Sequence, residues 1–321
     1  MQKLLITIII STLVGGLNAQ DNNNSVYTAT EIVLGTSTGQ IFGTLVVPVN
    51  VKKSPVVLII AGSGPTDRNG NSPLGVQANT YRMISENLAE NGIASLRFDK
   101  RGIAQSRPAM TAESDLRFET YINDVNAWIS LLKSDKQFSS IIILGHSEGS
   151  LIGMVAAEQS KVNGYISASG SGRAADLLIK EQLENKLPPQ LMDESDKILD
   201  SLKAGKTVSK VNPVLASLYR PSVQPYMISW LRYDPVKVIA KQKIPVLIVQ
   251  GTTDLQVPVK DANLLSAAKP DAKLLVIENM NHVLKESDMD QQKNIETYKN
   301  PDLKLKSGLA EGIVSFIKSV K

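Results

Sequence analysis

The sequence predicts an α/β fold in which helices flank a mostly parallel sheet. Short apolar runs alternate along the chain with segments of helical spacing, and strands that alternate with helices favour parallel pairing. One run, 55–60, is continuously apolar, as a strand buried on both faces would be. The alternation is interrupted once, by roughly seventy residues of helical pattern that follow a short strand ending near Ser169.

The predicted elements follow a regular order. An antiparallel pair precedes the first buried strand, and helices separate most of the later strands. The strands are predicted at 31–34, 41–47, 55–60, 93–98, 141–144, 164–169, 245–250 and 273–277, and the helices of the core at 81–90, 121–132, 151–158, 262–268 and 308–318. The pattern therefore predicts an eight-stranded sheet whose strands carry ligand-binding loops at their carboxyl ends.

The interruption predicts a helical cap. We expect a core formed by 31–172 and 244–321, with 173–243 inserted over its functional edge. Aromatic residues are frequent in this insertion, and Tyr226 and Trp230 are candidates for lining a substrate pocket. The alternative is that these aromatic side chains only pack the cap against the core.

The segment around Ser147 predicts a nucleophile. An apolar run leads into Gly145-His146-Ser147-Glu148-Gly149, and a helical pattern begins directly afterwards. A strand, a tight turn and a helix in that order lift a serine hydroxyl clear of the sheet, beside the first amides of the helix. The same glycine-x-serine-x-glycine spacing occurs at 35–39, but strand-like segments flank it, so a hairpin turn is predicted there.

A serine hydroxyl needs a base, and histidine is the usual base at neutral pH. The chain has two histidines. His146 adjoins Ser147 and cannot turn round to accept its proton. His282, in a polar loop after the last predicted strand, is therefore the predicted base.

The acid that orients this histidine is predicted at Asp254. It follows the strand 245–250 and precedes His282, as the chain order of such triads requires. Asp261 and Asp271 are weaker alternatives, because they lie on or after the following helix.

Two backbone amides are predicted to stabilise an oxyanion. One is the amide of Glu148, which directly follows the nucleophile. The other is expected in the loop Ala61-Gly62-Ser63-Gly64-Pro65, where Ser63 is preferred and Gly62 is the alternative. Gly62 is also predicted to contact the substrate, since its lack of a side chain lets the backbone approach closely.

With these parts in order, the chain from about residue 31 to 321 resembles the α/β-hydrolase superfamily. Three stretches resemble a bacterial esterase or serine aminopeptidase-like branch: 61–70, 98–102, and 220–226 followed by Trp230. The resemblance implies an α/β-hydrolase fold and the same catalytic roles for Ser147, Asp254 and His282. The chain departs from common family forms at Ala61, where many members have histidine, and at Ala104, where glycine is frequent.

Polar residues near these loops have two interpretations. Asp99 and Arg101 are predicted to pair with each other and brace the loops, with a direct substrate role as the less favoured alternative. For Asp67 and Arg68, binding a polar group of the substrate and bracing the loop are equally compatible with the sequence.

Composition limits the classes of function. With 321 residues, 42% of them apolar, the chain is long enough for one sizeable core. Lys and Arg number 35 against 31 Asp and Glu, and no basic cluster carries interleaved aromatics, so no nucleic-acid partner is predicted. No cofactor is expected, and two histidines without cysteine leave only carboxylate-rich metal sites, none of which is evident. Oligomeric state is not indicated.

The first residues resemble a secretory signal. Lys3 is followed by an apolar stretch, 4–14, and by Leu17-Asn18-Ala19, a small-residue cleavage pattern. We therefore expect 1–19 to be a signal peptide, too short for a stable membrane span, and 20–30 to be a flexible segment. The alternative is a buried N-terminal segment. The expected location is periplasmic or secreted.

Together these features predict an exported serine hydrolase that cleaves small carboxylic esters through an acyl-enzyme on Ser147. One alternative is an aminopeptidase-like enzyme acting on short peptides, with a cap glutamate such as Glu181 or Glu184 holding the free amine. The other is a binding protein of the same fold without catalysis. The acyl chain length and the natural substrate are not evident from the sequence.

Overall fold

The computed structural model describes residues 25–110, 112–184 and 186–320. Within them the strands β1 to β10 are Tyr27–Thr36, Gly39–Pro48, Ser54–Ile60, Asn71–Ser72, Val76–Gln77, Ala94–Phe98, Phe138–His146, Gly164–Ala168, Val246–Gly251 and Lys273–Ile277. The helices α1 to α11 are Thr80–Glu90, Phe118–Ser134, Glu148–Ser160, Ala175–Leu183, Pro189–Lys203, Ala216–Tyr219, Gln224–Trp230, Pro235–Ile239, Val259–Ala268, Gln291–Glu296 and Leu309–Ser319. The predicted signal peptide, 1–19, lies outside the described residues.

The central sheet has eight strands in the order β1-β2-β6-β3-β7-β8-β9-β10. β2 runs antiparallel to both β1 and β6. The strands that follow β2 in the sheet, in the order β6-β3-β7-β8-β9-β10, are all parallel to one another. The mostly parallel eight-stranded sheet predicted from the alternating pattern is confirmed. β4 and β5 form a separate two-stranded hairpin that the sequence did not predict.

The strand order reverses at the centre of the sheet, between β3 and β7. The chain leaves β3 towards β6 on one side and leaves β7 towards β8 on the other. A crevice forms outside the carboxyl ends of the strands at such a reversal, and ligands bind there in open α/β sheets. The loop after β3 and the turn after β7 border this crevice.

Apolar side chains cover both faces of the sheet. On one face, α1 and α11 pack against Val57, Ile59 and Ile142. On the other, α2, α3 and α9 pack against Val56, Leu58 and Ile143. Consecutive residues of β3 thus point alternately into two cores, which explains why 55–60 is continuously apolar.

Helices α4 to α7 occupy most of the segment predicted as a cap. They share their own apolar cluster, which includes Leu199, Leu202 and Tyr219. Ion pairs tie this segment to the rest of the chain, among them Arg173 with Asp261 at 2.7 Å and Arg220 with Glu113. The boundaries 173 and 243 themselves remain predictions.

The N-terminal boundary needs a correction. β1 begins at Tyr27, so residues 27–30, predicted to be part of a flexible segment, pair with β2 instead. The residues Tyr27-Thr28-Ala29-Thr30 include no large aliphatic side chain, and most of β1 is exposed, so this stretch gave no clear apolar signal. The second glycine-x-serine-x-glycine motif is a hairpin turn, as predicted, since β1 ends at Thr36 and β2 starts at Gly39.

Candidate active site

Ser147 sits in a strained turn between β7 and α3. Its backbone has φ 55° and ψ −122°, a conformation that costs free energy in any residue with a Cβ atom. Glycine is required on both sides of the turn because any other residue would clash with the backbone. A Cβ at Gly145 would lie 2.2 Å from the Gly149 oxygen, and one at Gly149 would lie 2.5 Å from the Ala61 oxygen. The turn therefore holds the serine at the carboxyl edge of the sheet with little freedom to relax.

Asp254 and His282 are joined directly. The Nδ1 atom of His282 donates to Oδ2 of Asp254 at 2.8 Å, and both side chains are buried. Asp254 follows β9 and His282 follows β10, so two neighbouring parallel strands bring them to the same edge. The carboxylate fixes the imidazole with its proton on Nδ1, which leaves Nε2 free to accept another.

The Asp254 carboxylate is surrounded by donors. Its Oδ1 accepts the backbone amides of Gln256 at 2.8 Å and Val257 at 2.9 Å, and the Gln250 side chain donates to Oδ2 at 3.1 Å. Burial alone would raise the pKa of Asp254, but His282 and the two amides outweigh it and hold the pKa below its ordinary value. The group is therefore built to stay ionised. Asp261, the alternative acid, pairs with Arg173 instead.

His146 has a structural partner on each ring nitrogen. Its Nε2 donates to the backbone oxygen of His282 at 2.8 Å, because a carbonyl can only accept. Its Nδ1 is then the acceptor for the Tyr81 hydroxyl, also at 2.8 Å. Burial, together with repulsion from His282, lowers the pKa of His146 to about 3, so it remains neutral. The residue before the nucleophile thus positions the loop that carries the predicted base.

Ser147, the predicted nucleophile, and His282, the predicted base, lie close together but share no hydrogen bond in the described structure. The rings of His146 and His282 are 4.9 Å apart between centroids, and Ser147 adjoins the first of them in the chain. Within the described residues, no hydrogen bond joins the Ser147 hydroxyl to the His282 imidazole. Catalytic hydrogen bonds are often long in an unliganded site and tighten when substrate binds.

The backbone amides of Ser63 and Glu148 are unpaired within the described residues. Ser63 is exposed in the loop after β3, and Glu148 is the first residue of α3. Gly62 lies against the nucleophile, since a Cβ added to it would meet the Ser147 Cβ at 3.1 Å. The Gly62 amide, by contrast, donates to the Tyr81 hydroxyl at 3.1 Å. The geometry therefore favours Ser63 over Gly62 as the second oxyanion donor.

The turn after β6 carries three consecutive buried charges, and each has a different partner. Arg68 binds Asp99 through its backbone amide at 2.7 Å and through its guanidinium at 2.9 Å. Arg101 pairs with Asp124 at 2.6 Å. The predicted pair between Asp99 and Arg101 is therefore wrong, because neighbouring residues on this turn point in different directions.

The third charge, Lys100, points at the predicted oxyanion loop. Its Nζ donates to the Gly62 oxygen at 2.6 Å and to the Glu148 carboxylate at 3.1 Å. Asp67 and Arg68 both brace the loop: the Asp67 carboxylate accepts the amides of Asn69 and Asn71. Of the two interpretations left open for these residues, loop bracing is the one that the contacts support.

The two aromatic residues of the predicted cap that were expected to contact substrate differ in their surroundings. Tyr226 is buried, and its hydroxyl donates to Glu148 at 2.8 Å, so that hydroxyl already has a protein partner. Trp230 is half-buried and stacks on Phe118 with an interplanar angle of 11°. These contacts match the packing alternative, and a substrate-binding role for either aromatic stays a prediction.

A cleft of about 680 Å³ opens beside the predicted oxyanion loop. It begins at Pro65, two residues beyond Ser63, and continues between the β4–β5 hairpin and the turn after β6. Neither Tyr226 nor Trp230 lines it. Its walls are mixed in character: Pro65, Asp67, Asn71, Ser72, Pro73, Val76, Gln77, Asn79, Gly102, Ile103, Ala104, Arg107 and Pro301.

Two features are absent from the part of the chain that the structure describes. No group of three or more His, Asp or Glu side chains in that part of the chain is placed to hold a metal ion. Of the helices described, none has both the length and the apolar character that crossing a bilayer requires.

Sequence reasoning missed Lys100 and Tyr81. A signal existed for Lys100, because the run Asp99-Lys100-Arg101 follows a buried strand directly, at the edge where the other predicted site residues lie. No comparable signal existed for Tyr81, which has the helical spacing of an ordinary core residue.

Comparison with known proteins agrees with this architecture. A family model described as "Serine aminopeptidase, S33" matches residues 74–288. Esterase EstD of Thermotoga maritima is 25% identical over 257 residues, which cover 75% of this chain and 57% of that protein. The chain thus spans little more than half the length of this relative.

Two of the solved structures with a similar fold illustrate the match. Est1E from Butyrivibrio proteoclasticus superposes with a TM-score of 0.58 at 20% identity, covering 90% of this chain and 99% of that one. The Pyrococcus furiosus esterase Pf2001 gives a TM-score of 0.57 at 16% identity, covering 96% and 98%. The match of the family model over most of the chain, on this sheet, shows that the protein is an α/β-hydrolase of the family described as serine aminopeptidase, S33.

Proposed function

We propose that the protein is a serine hydrolase that cleaves carboxylic esters through an acyl-enzyme on Ser147. The observation that carries the proposal is the buried hydrogen bond between Asp254 and His282, beside a serine held in a strained turn. A serine, a histidine and an acid at the carboxyl edge of an α/β sheet form the usual apparatus for acyl transfer. The similarity to an esterase of Thermotoga maritima supports an ester as the substrate.

In the first half of the reaction, the Ser147 hydroxyl attacks the ester carbonyl and its proton passes to Nε2 of His282. The carbonyl oxygen becomes an oxyanion, which the Ser63 and Glu148 amides stabilise. The oxyanion then reforms the carbonyl as the bond to the alcohol breaks. His282 gives its proton to the departing alcohol, leaving the acyl group on Ser147.

In the second half, water replaces the alcohol. His282 takes a proton from water while the hydroxide attacks the acyl carbonyl, and the same two amides stabilise the second oxyanion. Collapse breaks the ester bond to Ser147, which recovers its proton from His282. The carboxylic acid is released and the enzyme returns to its starting state. Asp254 stabilises the imidazolium in both halves and remains a carboxylate throughout.

The test uses the mature protein with a short p-nitrophenyl ester. We expect Ser147→Ala to lower kcat by roughly 10⁴- to 10⁶-fold, since no nucleophile remains. Labelling by a fluorophosphonate probe should require Ser147 as well. Turnover in this variant close to that of the wild type would reject the proposal. A wild type that neither hydrolyses esters or amides nor reacts with the probe would favour the non-catalytic alternative.

Aminoacyl amide hydrolysis is the second candidate, because the matching family is described as a serine aminopeptidase. Such an enzyme needs an anion for the substrate amine. Glu181, predicted for this role, contacts Arg173 and is 2.8 Å from Lys260, and bonds to these cations lower its pKa. Glu184 is exposed. Comparing kcat/KM for aminoacyl anilides and acyl esters of matched size decides between the two activities.

We also propose that the protein is exported and that residues 1–19 are removed. The proposal rests on the sequence of these residues alone. Recovery from a periplasmic or culture fraction with an N-terminus at Gln20 would support it. Recovery with an intact N-terminus in the cytoplasmic fraction would reject it.

A further inference from the structure

The peptide that presents the Ser63 amide is held on its opposite side. The Gly62 oxygen and the Ser63 N–H belong to one planar trans peptide, so they point in opposite directions. The Gly62 oxygen accepts the Lys100 ammonium at 2.6 Å. Whatever fixes the direction of that oxygen also fixes the direction of the Ser63 N–H.

Lys100 is itself fixed from three sides. Besides the Gly62 oxygen, its ammonium contacts the Glu148 carboxylate at 3.1 Å and lies 4.9 Å from the centre of the Tyr121 ring. Only about 2% of the residue is exposed, so solvent does not compete for these bonds. A buried ammonium is strongly disfavoured without such partners, and it therefore resists leaving this position.

Glu148 connects the same network to the other oxyanion donor. Its backbone supplies the second amide, while its side chain binds Lys100 through Oε2 and the Tyr226 hydroxyl, at 2.8 Å, through Oε1. This contact network runs from the Gly62–Ser63 peptide through Lys100 and Glu148 to Tyr226 in α7. Every residue of the network is buried except Ser63.

We infer that Lys100 is a positioning residue for the oxyanion hole, held in place by Glu148 and, through it, by Tyr226 of the cap. The inference rests on the proposed function. In the absence of Lys100 the Gly62–Ser63 peptide is free to rotate, and its N–H no longer points at the site. The loss then falls on the transition state, where the oxyanion exists, and spares binding of the ground-state ester.

The experiment compares two buried ion pairs on the same turn. Lys100→Met/Glu148→Gln removes the pair that touches Gly62 without leaving an unpaired charge, and Arg101→Met/Asp124→Asn removes the neighbouring pair, which does not touch it. Each variant is assayed for kcat and KM on the short ester, for inhibition by a trifluoromethyl ketone, and for thermal stability. The ketone forms a tetrahedral adduct whose oxyanion occupies the hole.

For the Lys100 variant we expect kcat to fall roughly 10- to 100-fold, somewhat less than for deletion of an oxyanion donor, with KM changed less than about threefold. Affinity for the trifluoromethyl ketone should fall by the same factor as kcat. The Arg101 variant should lose stability, but its kcat and its affinity for the trifluoromethyl ketone should stay within about threefold of the wild-type values. Equal losses of kcat in the two variants, or a folded Lys100 variant with wild-type kcat, would overturn the inference.

Tyr226→Phe provides a second test that removes only one hydroxyl and so preserves packing. A positioning role predicts a lower kcat with unchanged KM, and a wild-type kcat would overturn the link to the cap. A higher KM with unchanged kcat would instead support the direct substrate contact predicted from the sequence, and would likewise reject that link. If the wild type lacks Ser147-dependent turnover, the proposed function fails first; if it has such turnover, these variants test the inference alone.

Discussion

The two sides of Ser147 are built with different interactions. On the side of β9 and β10, the Asp254 carboxylate accepts hydrogen bonds from uncharged amides and from the His282 imidazole. On the side of β3 and β6, the loops are held by buried full charges, Asp99 with Arg68 and Lys100 with Glu148. His146, within the turn itself, touches both sides through His282 and Tyr81.

The contrast matches what each side does in the proposed mechanism. There the side of β9 and β10, the base side, changes protonation in every cycle, and a carboxylate with neutral donors accommodates an imidazolium without competing cations. The side of β3 and β6, the oxyanion side, changes no protonation in that mechanism and keeps two amides aimed at one point while charge develops. Buried ion pairs suit a fixed geometry because removing one partner leaves an uncompensated charge. Substitutions on the two sides should therefore have different kinetic signatures.

Among substitutions on the two sides of Ser147, Asp254→Asn on the base side should have the largest effect. In Asp254→Asn the amide faces Nδ1 of His282 with a donor, so the imidazole places its proton on Nε2 and cannot accept one from Ser147. We expect kcat to fall by roughly 10⁴-fold. KM and thermal stability should change much less, since the Gln256 and Val257 amides keep the remaining oxygen and the Gln250 side chain still donates to the Val257 oxygen.

Asp261→Asn is the matched control for this prediction, since the Asp261 side chain is as fully buried as that of Asp254 and was the alternative acid. It pairs with Arg173 at the start of the predicted cap, so its replacement should lower stability and leave kcat within a few-fold. A stronger loss of kcat in Asp261→Asn than in Asp254→Asn would reverse the assignment of the acid.

The two sides also differ in how far the sequence predicts them. The base side has few candidates, because two histidines are present and one of them adjoins Ser147. Chain order and strand ends then indicate Asp254, and the structure places it against His282. The sheet was predictable for a similar reason: buried parallel strands are continuously apolar, and this pattern needs no knowledge of distant contacts.

The oxyanion side could not be predicted to the same depth. Its bonds join residues far apart in the chain, such as Lys100 with Glu148, and sequence gives no rule for which buried charge meets which. Asp99 and Arg101 illustrate the difficulty, since adjacent opposite charges suggested a pair while the turn after β6 directs them to Arg68 and Asp124. The β4–β5 hairpin and the strand extension at 27–30 were missed because neither has an apolar pattern.

An intermediate effect is expected at Tyr81, where the two sides meet. Tyr81→Phe keeps the ring but removes the hydroxyl that accepts the Gly62 amide and donates to His146. Burial raises the pKa of Tyr81, so the wild-type hydroxyl keeps its proton and donates at any working pH. We expect kcat to fall roughly threefold to tenfold, because two hydrogen bonds that position the loop and the His146 ring are lost while no contact to the substrate is removed.

Combining the substitutions separates the two sides. If Tyr81 acts mainly on the oxyanion loop, Tyr81→Phe should cost less in a background that already lacks Lys100 and Glu148, because both changes loosen the same peptide. Its cost in the Asp254→Asn background should be unchanged. The opposite pattern, coupling to Asp254 alone, would assign Tyr81 to the base side through His146.

The smallest expected effect concerns stability, at Lys285 in the loop that carries His282. Lys285 is fully buried, bonds to the Leu303 oxygen, and has no ion-pair partner among the described residues. Burial lowers its pKa to about 8, below the value near 10.4 expected in the unfolded chain. Between these two values the unfolded state binds more protons, so the free energy of unfolding should rise as the pH is raised from 8 to 10.

Lys285→Met should lack this rise. Urea unfolding at pH 7.5 and 9.5 gives the change in the free energy of unfolding for each protein, and the two changes should differ by a value on the order of 1 kcal/mol. Parallel pH dependence in wild type and variant would mean that the Lys285 ammonium reaches solvent in the folded protein, and that the loop carrying His282 opens more readily than its burial indicates.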